Sequence, residues 1–284
     1  MLTKDLYKSV TADIIQQLEE GTPPWVMPWK QGGFSPLIPQ NASNGNRYSG
    51  INISILWDAC IKRGYKENRW LTYKQAAAHG GHVRKGEKGV PVVFVKSHEV
   101  DGEDGQTEKK FFTRVYTVFN IAQIDGLSDV PDATEVLYDG PEFFRGMTAK
   151  VVFGKTDMAY FNVNSDTIYM PPKEAFETPA HYHATMLHEL IHWTGHSSRL
   201  NRFDDEVDGK DHYAFEELVA EMGSAYLCAY LGLEGQLRHA SYIEAWQGEL
   251  ADSDRAIFIA ASKASRAADY LIELAFHSAE SEAA

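Results

Sequence analysis

Two histidines four residues apart, with a glutamate beside the first, form the segment whose residue types most directly indicate chemistry. The segment runs His188-Glu189-Leu190-Ile191-His192, which is an HExxH motif. Residues four apart lie on one face of a helix, so both imidazoles can reach one metal ion. Glu189 would then take a proton from a water molecule at that ion, as the general base of a metal-dependent hydrolase does. The alternative is an amphipathic helix with two histidines on its polar face.

A second predicted helix, residues 216–227, carries carboxylates that can complete a metal site. Glu217 and Glu221 are four residues apart and share a face, as they also would on a solvated acidic helix. A catalytic zinc site keeps three protein ligands, and each ligating histidine needs a polar partner on its other nitrogen. The pattern resembles the ligand helix of gluzincin metallopeptidases, which implies Glu217 as ligand and Glu221 as partner of a histidine. His196 is the rival third ligand, although Gly195 predicts that the first helix ends before it. Zn²⁺ is the expected ion, with another divalent ion such as Mn²⁺ as the alternative.

Length and composition indicate a globular protein of two ordinary domains. The chain has 284 residues, of which 44% are hydrophobic and 24% are charged. No stretch approaches the roughly 20 apolar residues of a membrane span, and the first residues lack the apolar core of a signal peptide. The two cysteines, Cys60 and Cys228, form no motif. These observations predict a protein of the reduced cytoplasm with no membrane partner.

Charge is distributed unequally along the chain. The overall net charge of −13 by itself argues against nucleic-acid binding. Residues 1–125, however, contain 16 Lys and Arg and 13 Asp and Glu, a net charge of +3. The remainder contains 11 basic and 27 acidic residues, a net charge of −16. Because a turn-rich segment follows residue 125, we predict two domains, 1–125 and 142–284, joined by a linker at 126–141.

The first predicted domain mixes helix and strand signals. Apolar residues at helical spacing predict an opening helix that ends near Gly21, and residues 71–79 predict a second, short helix. Residues 90–95 and 111–119 predict strands. The polar stretch between them, 99–110, predicts a flexible hairpin loop. This pattern indicates an α+β domain.

Basic and aromatic residues interleave in the same domain. Binding of single-stranded nucleic acid needs cations for phosphates and aromatic faces for bases, and each stacked base typically contributes about 1–3 kcal/mol. The alternative is that the tryptophans and tyrosines belong to the core. The candidates for contact with a DNA strand are Trp25, Trp29, Arg47, Tyr48, Arg69, Trp70, Lys74, Arg84, Lys85 and Lys88.

Several longer motifs resemble those of the ArdC-type antirestriction family. The matching segments are residues 6–29, 45–52, 69–75, 81–89, 187–196, 199–202 and 216–221. The resemblance covers nearly the whole chain. It implies an N-terminal α+β domain that binds single-stranded DNA, similar to that of plasmid DNA primases. It also implies a mostly helical, zincin-like metallopeptidase domain. Such proteins are carried by conjugative plasmids and shield incoming DNA from host restriction.

The resemblance also orients the residues before the HExxH helix. Two extended segments, 159–164 and 167–172, flank a turn at 165–166. In zincins an edge strand beside the metal pairs with an extended peptide. We expect the strand that ends at Pro171 and Pro172 to be this edge, with an ordinary surface hairpin as the alternative. Tyr213 lies one turn before Glu217 and is a candidate donor to the transition-state oxyanion, with His212 as the second candidate.

These features predict a two-domain α+β protein that binds single-stranded DNA and attacks a peptide carbonyl with water. Its protein substrate is unidentified, and a component of a host restriction system is one candidate. Two alternatives come from other classes. The metal domain could be structural, so that coating of the DNA alone gives protection. The acidic half could instead imitate DNA and act as a decoy for a restriction enzyme.

Overall fold

The chain folds into two compact units, each with its own sheet and helices. The computed structural model describes residues 3–25, 33–101, 107–133, 140–203, 212–233 and 243–282. Of these, the first unit comprises residues 3–12 and 33–133, and the second comprises 13–25 and 140–282. The chain therefore changes unit three times: between residues 12 and 13, between 25 and 33, and between 133 and 140, the last of these within the segment 126–141.

The predicted first domain, 1–125, does not coincide with the first unit. Residues 13–25 belong to the second unit, although they precede most of the first in sequence. Trp25 accounts for part of this difference, because its fully buried ring lies edge-on to the Trp246 ring with 6.1 Å between centroids. Composition cannot reveal a partner more than 200 residues away, so we predicted that this segment belongs to the domain formed by its neighbours in sequence.

The first unit is built on a four-stranded sheet in the order β1-β2-β5-β4. Strands β1 and β2 are parallel, and the other pairs are antiparallel. A smaller sheet pairs β3 with β6. Helix α1 (Thr3–Glu19) begins in the first unit, and its residues from 13 onward belong to the second. The other elements of the first unit are β1 (Ser35–Asn41), α2 (Ile51–Arg63), β2 (Glu67–Thr72), α3 (Tyr73–Ala78), β3 (His82–Val83), β4 (Val90–Asp101), β5 (Thr107–Asn120) and β6 (Ile124–Asp125).

The two strands predicted at 90–95 and 111–119 are confirmed as parts of β4 and β5, and both are longer than predicted. The ladder continues through the polar stretch, with Glu99 opposite Lys109 and Asp101 opposite Thr107. The prediction of a flexible loop over 99–110 was therefore wrong for residues 99–101 and 107–110, and residues 102–106 lie outside the described residues. Backbone hydrogen bonds hold this extension, and they do not require apolar side chains.

Helix α2 protects the open edge of β4. The Asn52 side chain is buried, its Nδ2 donates to the Val93 carbonyl at 2.7 Å, and its Oδ1 accepts from the Val93 amide at 2.8 Å. A side-chain amide thus takes the place of a neighbouring strand at this position. Satisfying edge groups in this way removes a template for pairing with another chain.

The second unit packs helices beside a three-stranded sheet. The sheet order is β7-β9-β8, with β7 parallel and β8 antiparallel to β9. The elements are α4 (Gly140–Arg145), β7 (Lys150–Phe153), β8 (Tyr160–Asn162), β9 (Thr167–Met170), α5 (Pro179–Thr194), α6 (His212–Leu231), α7 (Ile243–Asp252) and α8 (Ala256–Glu282). The α+β class and the mostly helical second part are confirmed. No helix among the described residues is long and apolar enough to span a bilayer.

The prediction of the edge strand was wrong. The strand that ends before Pro171 and Pro172 is β9, which is central and pairs on both sides. The prolines follow Met170, the last paired residue, so they interrupt no hydrogen bond. The edge strands are β7 and β8.

Helices α5 and α6 pack closely and place the predicted site residues. Thr178 caps α5 by accepting a hydrogen bond from the His181 amide at 3.1 Å, and Pro179 occupies the first turn. In α6, 17 of 20 residues are buried, so this helix forms the core of the unit. Gly223 permits the contact, because a Cβ there would meet Ile191 Cδ1 at 2.8 Å.

Candidate metal centre

Three side chains converge where α5 faces α6. His188 and His192 project from adjacent turns of α5, and their Nε2 atoms lie 3.1 Å apart. Glu217 of α6 brings one oxygen to 3.5 Å from His188 Nε2 and the other to 3.4 Å from His192 Nε2. Of the described His, Cys, Asp and Glu residues, these three form the group compact enough to hold a metal ion.

The spacing of these atoms fits a divalent ion. Ligands at zinc–nitrogen and zinc–oxygen distances in a tetrahedral site lie about 3.3 Å from one another. The two imidazole nitrogens are 3.1 Å apart, and each lies 3.4 or 3.5 Å from a different oxygen of Glu217, all close to this value. Two imidazoles and one carboxylate leave the fourth position for water or substrate.

Each histidine has a carboxylate at its other ring nitrogen. Glu221 Oε1 lies 3.5 Å from His188 Nδ1, and Glu216 Oε1 lies 3.5 Å from His192 Nδ1. Such partners fix the tautomer and the ring orientation of a ligating histidine. The structure thus places Glu221 where the sequence predicted it, and it adds Glu216, to which the sequence assigned no role. The only available signal was that Glu216 directly precedes the expected ligand.

Burial and charge shift the pKa values of these groups strongly. Burial acts to lower the pKa of His192, but hydrogen bonds to Glu216 and Glu217 outweigh it and raise the pKa to about 10. Burial acts to raise the pKa of Glu217, yet its contacts with both histidines bring the pKa far below its usual range. Burial raises the pKa of Glu221 well above normal, and the charge of Glu217 adds to this effect. Without a metal ion, positive charge is therefore favoured on His192.

Glu189 is buried beside the three converging side chains. Its side chain is only 5% exposed, and burial is the main cause of its raised pKa. The backbone amide of Phe161, on the edge strand β8, donates a hydrogen bond to this carboxylate. A buried carboxylate with a raised pKa is matched to a general base that must accept and return a proton near neutrality. The hydrogen bond from β8 was not foreseen from the sequence.

The centre opens into a cleft of about 520 Å³. Tyr160, Phe161 and Val163 line it from the side of β8, and Phe203, Phe215 and Lys263 line it elsewhere. Both candidate oxyanion donors, His212 and Tyr213, also line the cleft, and the Tyr213 side chain is 62% exposed.

His196 stands apart from the converging ligands. Helix α5 ends at Thr194, as Gly195 predicted, and the His196 Nδ1 atom lies 2.8 Å from Ser198 Oγ. Nearby, Arg199 pairs with Asp166 at the β8–β9 turn and lies over the Trp193 ring, 3.9 Å from its centroid. This pairing ties the β8–β9 hairpin to the residues that follow α5.

The predicted DNA contacts fall into three groups in the structure. Trp25 and Trp70 are fully buried and Tyr48 is 6% exposed, so their rings offer no free face to a base. For these three residues the expectation of base stacking is corrected in favour of a core role, and Trp29 lies outside the described residues.

Two of the predicted cations are already engaged. Arg69 hydrogen-bonds Glu67 and the Pro131 carbonyl, and Arg84 pairs with Glu87 and Asp125. The candidates on the exposed surface of the first unit are Arg47, Lys74, Lys85 and Lys88.

The fold and the site define a class of protein. An HExxH helix, a glutamate from the next helix and a neighbouring sheet characterise zincin-like metallopeptidases. Residues 140–263 match a family model described as zincin-like metallopeptidase. Residues 4–119 match the N-terminal domain of anti-restriction factor ArdC.

The chain belongs to the ArdC antirestriction family. The metal-free crystal structure of the antirestriction ArdC protein from plasmid R388 is 43% identical, with a TM-score of 0.81 over 96% of this chain and 98% of that chain. The Mn(II)-bound structure of that protein is 42% identical, with a TM-score of 0.78 over 95% of this chain and 98% of that chain.

Curated relatives extend the comparison. Protein y4eC of Sinorhizobium fredii is 36% identical over 94% of this chain and 91% of its own length. DNA primase TraC of Escherichia coli is 37% identical over 95% of this chain. The chain spans only 27% of the length of that primase.

Proposed function

We propose that the second unit is a divalent-metal-dependent peptidase and that the first binds single-stranded DNA, so that the protein protects incoming plasmid DNA from restriction. The observation that carries the peptidase assignment is the convergence of His188, His192 and Glu217 in one cleft with Glu189. The donor set suits Zn²⁺, and the Mn(II)-bound relative makes Mn²⁺ the alternative.

The chain's own residues can divide the work of peptide hydrolysis. A bound divalent ion would acidify water and polarise the peptide carbonyl. Glu189 would accept a proton as the water oxygen bonds to the carbonyl carbon, and would return it to the amine that leaves. Tyr213 or His212 would donate a hydrogen bond to the carbonyl oxygen as negative charge develops there. Glu216 and Glu221 would keep the two imidazoles oriented.

The proposal for DNA rests on the surface charge of the first unit. Arg47, Lys74, Lys85 and Lys88 are exposed, and residues 1–125 carry a net charge of +3 in a chain of net charge −13. Exposed cations of this kind bind phosphates without reading sequence. The similarity to TraC, a DNA primase, supports the same assignment.

We further propose that the peptidase acts in the cytoplasm only with DNA or with one specific protein target, such as a restriction component. Unrestricted proteolysis would harm the cell that makes it. Purified protein should therefore cleave casein slowly or not at all, and single-stranded DNA or the true target should increase the rate. Brisk cleavage of casein without DNA would contradict this dependence.

A conjugation assay into a restricting host tests the proposed role. Wild type should protect the incoming plasmid, and Glu189→Gln should lose protection while it keeps its metal and its affinity for DNA. A non-restricting host controls for transfer efficiency. Equal protection by the variant would mean that hydrolysis is dispensable and that coating of the DNA is sufficient.

The net charge of −16 beyond residue 125 favours one alternative, a decoy that imitates DNA. In that case full-length protein with Glu189→Gln should compete with duplex DNA for a purified restriction enzyme. Failure to compete at a large excess of protein would rule out the decoy alternative.

A further inference from the structure

Arg202 joins the two helices that carry the metal ligands. Its guanidinium holds Glu216 of α6 with two bonds, from Nη2 to Oε1 at 2.5 Å and from Nε to Oε2 at 3.2 Å. The same group donates to Thr194 Oγ1 at 2.6 Å and to the Ile191 carbonyl at 2.7 Å, both at the end of α5. It therefore adds a second donor to the Ile191 carbonyl, which already accepts from the Thr194 hydroxyl at 2.6 Å, and it orients a carboxylate on the facing helix.

The pair is buried, so surface attraction does not explain it. The Arg202 side chain is 4% exposed and that of Glu216 is 13% exposed. Burying an ion pair costs desolvation energy, and apolar residues of similar volume often stabilise a fold equally well. Unlike apolar residues, this pair orients a carboxylate toward the metal site. Glu216 Oε1 lies 2.5 Å from Arg202 Nη2 and 3.5 Å from His192 Nδ1.

Gly195 makes room for this arrangement. Its backbone is helical, with φ −74°, so the glycine is not needed for a left-handed turn. A Cβ at this position would meet Phe203 Cζ at 2.9 Å, and Arg202 Nη2 and the His192 carbonyl oxygen at 3.0 Å each. The glycine that ends the HExxH helix thus also permits the close approach of the guanidinium.

We propose that Arg202 is a positioning residue of the metal centre, which fixes Glu216 against Nδ1 of His192 and so presents the Nε2 atom of that histidine to the ion. This role rests on the proposed metal site. An Nδ1–H that donates to Glu216 leaves the Nε2 lone pair free for the metal. Because Glu216 is adjacent to Glu217, the same clamp holds two of the three ligands, His192 and Glu217.

Metal affinity of the full chain tests the proposal. Zn²⁺ affinity would be measured by competition with a chromophoric chelator for wild type, Arg202→Gln and Gly195→Ala. Both variants should bind Zn²⁺ about tenfold more weakly, the lower end of the range for loss of the direct partner of a ligating histidine, because Glu216 itself remains. Arg202→Lys should recover little, because a single ammonium nitrogen cannot occupy the three separate positions from which Nε, Nη1 and Nη2 donate.

Two matched controls separate orientation from general damage. Arg199→Gln removes a positive charge from the segment between α5 and α6, as Arg202→Gln does, but its partner is Asp166 and not Glu216. Gly248→Ala adds a methyl group, as Gly195→Ala does, but at a position where no atom lies within 4 Å. Both should bind Zn²⁺ like wild type. The visible spectrum of bound Co²⁺ should change in the Arg202 and Gly195 variants and stay constant in the controls, whatever the melting temperatures.

The outcomes are distinguishable. Wild-type affinity, within about threefold, in a folded Arg202→Gln variant would overturn the role of Arg202 while leaving the metal site intact. If that variant does not fold, Arg202→Lys and Gly195→Ala decide the question by the same criterion. Absence of binding by wild type would reject the metal site itself, and the positioning role with it.

Discussion

His192 faces a carboxylate at each ring nitrogen, Glu216 at Nδ1 and Glu217 at Nε2. Burial opposes a charge on this ring, but the two carboxylates outweigh burial and raise the pKa to about 10 in the metal-free protein. Since a metal ion binds neutral imidazole, it must displace the proton that this raised pKa holds in place.

Metal affinity should consequently rise with pH. One displaced proton corresponds to an increase of about tenfold in apparent affinity for each pH unit, as long as the pH stays below the pKa of His192. Zn²⁺ competition titrations between about pH 6 and pH 8 would measure this slope. A slope of zero would show that His192 is already neutral in the metal-free protein.

Helical spacing predicted which residues of each helix share a face, and the resemblance to gluzincins singled out Glu217 as the candidate ligand. His188 and His192 share a face of α5, and Glu217 and Glu221 share a face of α6. Arg202 and Glu216 could not be deduced in this way, since the path of the chain between α5 and α6 decides what Arg202 reaches. The hydrogen bond from Phe161 to Glu189 could not be predicted for a similar reason, because it depends on which strands lie at the edges of the sheet.

At the scale of elements, the distance between α5 and α6 sets the geometry of the site. Gly223 of α6 lies against Ile191, which sits between the two histidines in sequence, and Ser224 Oγ donates to the Ala184 carbonyl at 3.1 Å. Both contacts hold the ligand helices together with no large side chain between them.

Gly223→Ala should destabilise the protein. Overpacking against Ile191 costs about 1–3 kcal/mol, which exceeds the gain of about 1 kcal/mol that alanine brings to a helix. Gly248→Ala is the matched control, because it has the same helical gain without a neighbour within 4 Å. Denaturant midpoints should fall for the first variant and rise slightly for the second. A rise in both would show that α5 and α6 can separate without cost.

The character of the elements was easier to predict than their neighbours. Residues 90–95 and 111–119 were recognised as strands from composition, and α5 from its spacing and its final glycine. The order of strands was not, because Pro171 and Pro172 stop β9 equally well whether it is central or at an edge. The extension of β4 and β5 was also missed, because a polar sequence gives no sign of strands that are held by backbone hydrogen bonds.

At the scale of the whole molecule, two units of different charge lie on one chain. The sequence predicted two units from charge and turn signals. It placed residues 13–25 in the wrong unit, because the contact between Trp25 and Trp246 leaves no local pattern. Trp70 and Tyr48, which are buried, were also predicted as DNA contacts, because the sequence does not show whether an aromatic side chain is buried or exposed.

Single-stranded DNA should bind through the exposed cations of the first unit. In the full chain, the double variant Lys85→Gln/Lys88→Gln should bind several-fold more weakly than wild type. The slope of log affinity against log salt should decrease by about 1.4, about 0.7 for each lost phosphate contact. Lys150→Gln in the second unit removes an exposed charge and should change neither quantity. Unchanged binding by the double variant would place the DNA elsewhere.

The number of metal ions bound per chain, and the residues on which it depends, tests the central claim most directly. Elemental analysis after equilibration with Zn²⁺ should find one ion per chain in wild type and in Glu189→Gln, since Glu189 is assigned proton transfer and not ligation. His192→Ala should lose most of the metal, and His196→Ala should keep it. Full occupancy in His192→Ala, or loss of the ion in His196→Ala alone, would contradict the metal centre described for this protein.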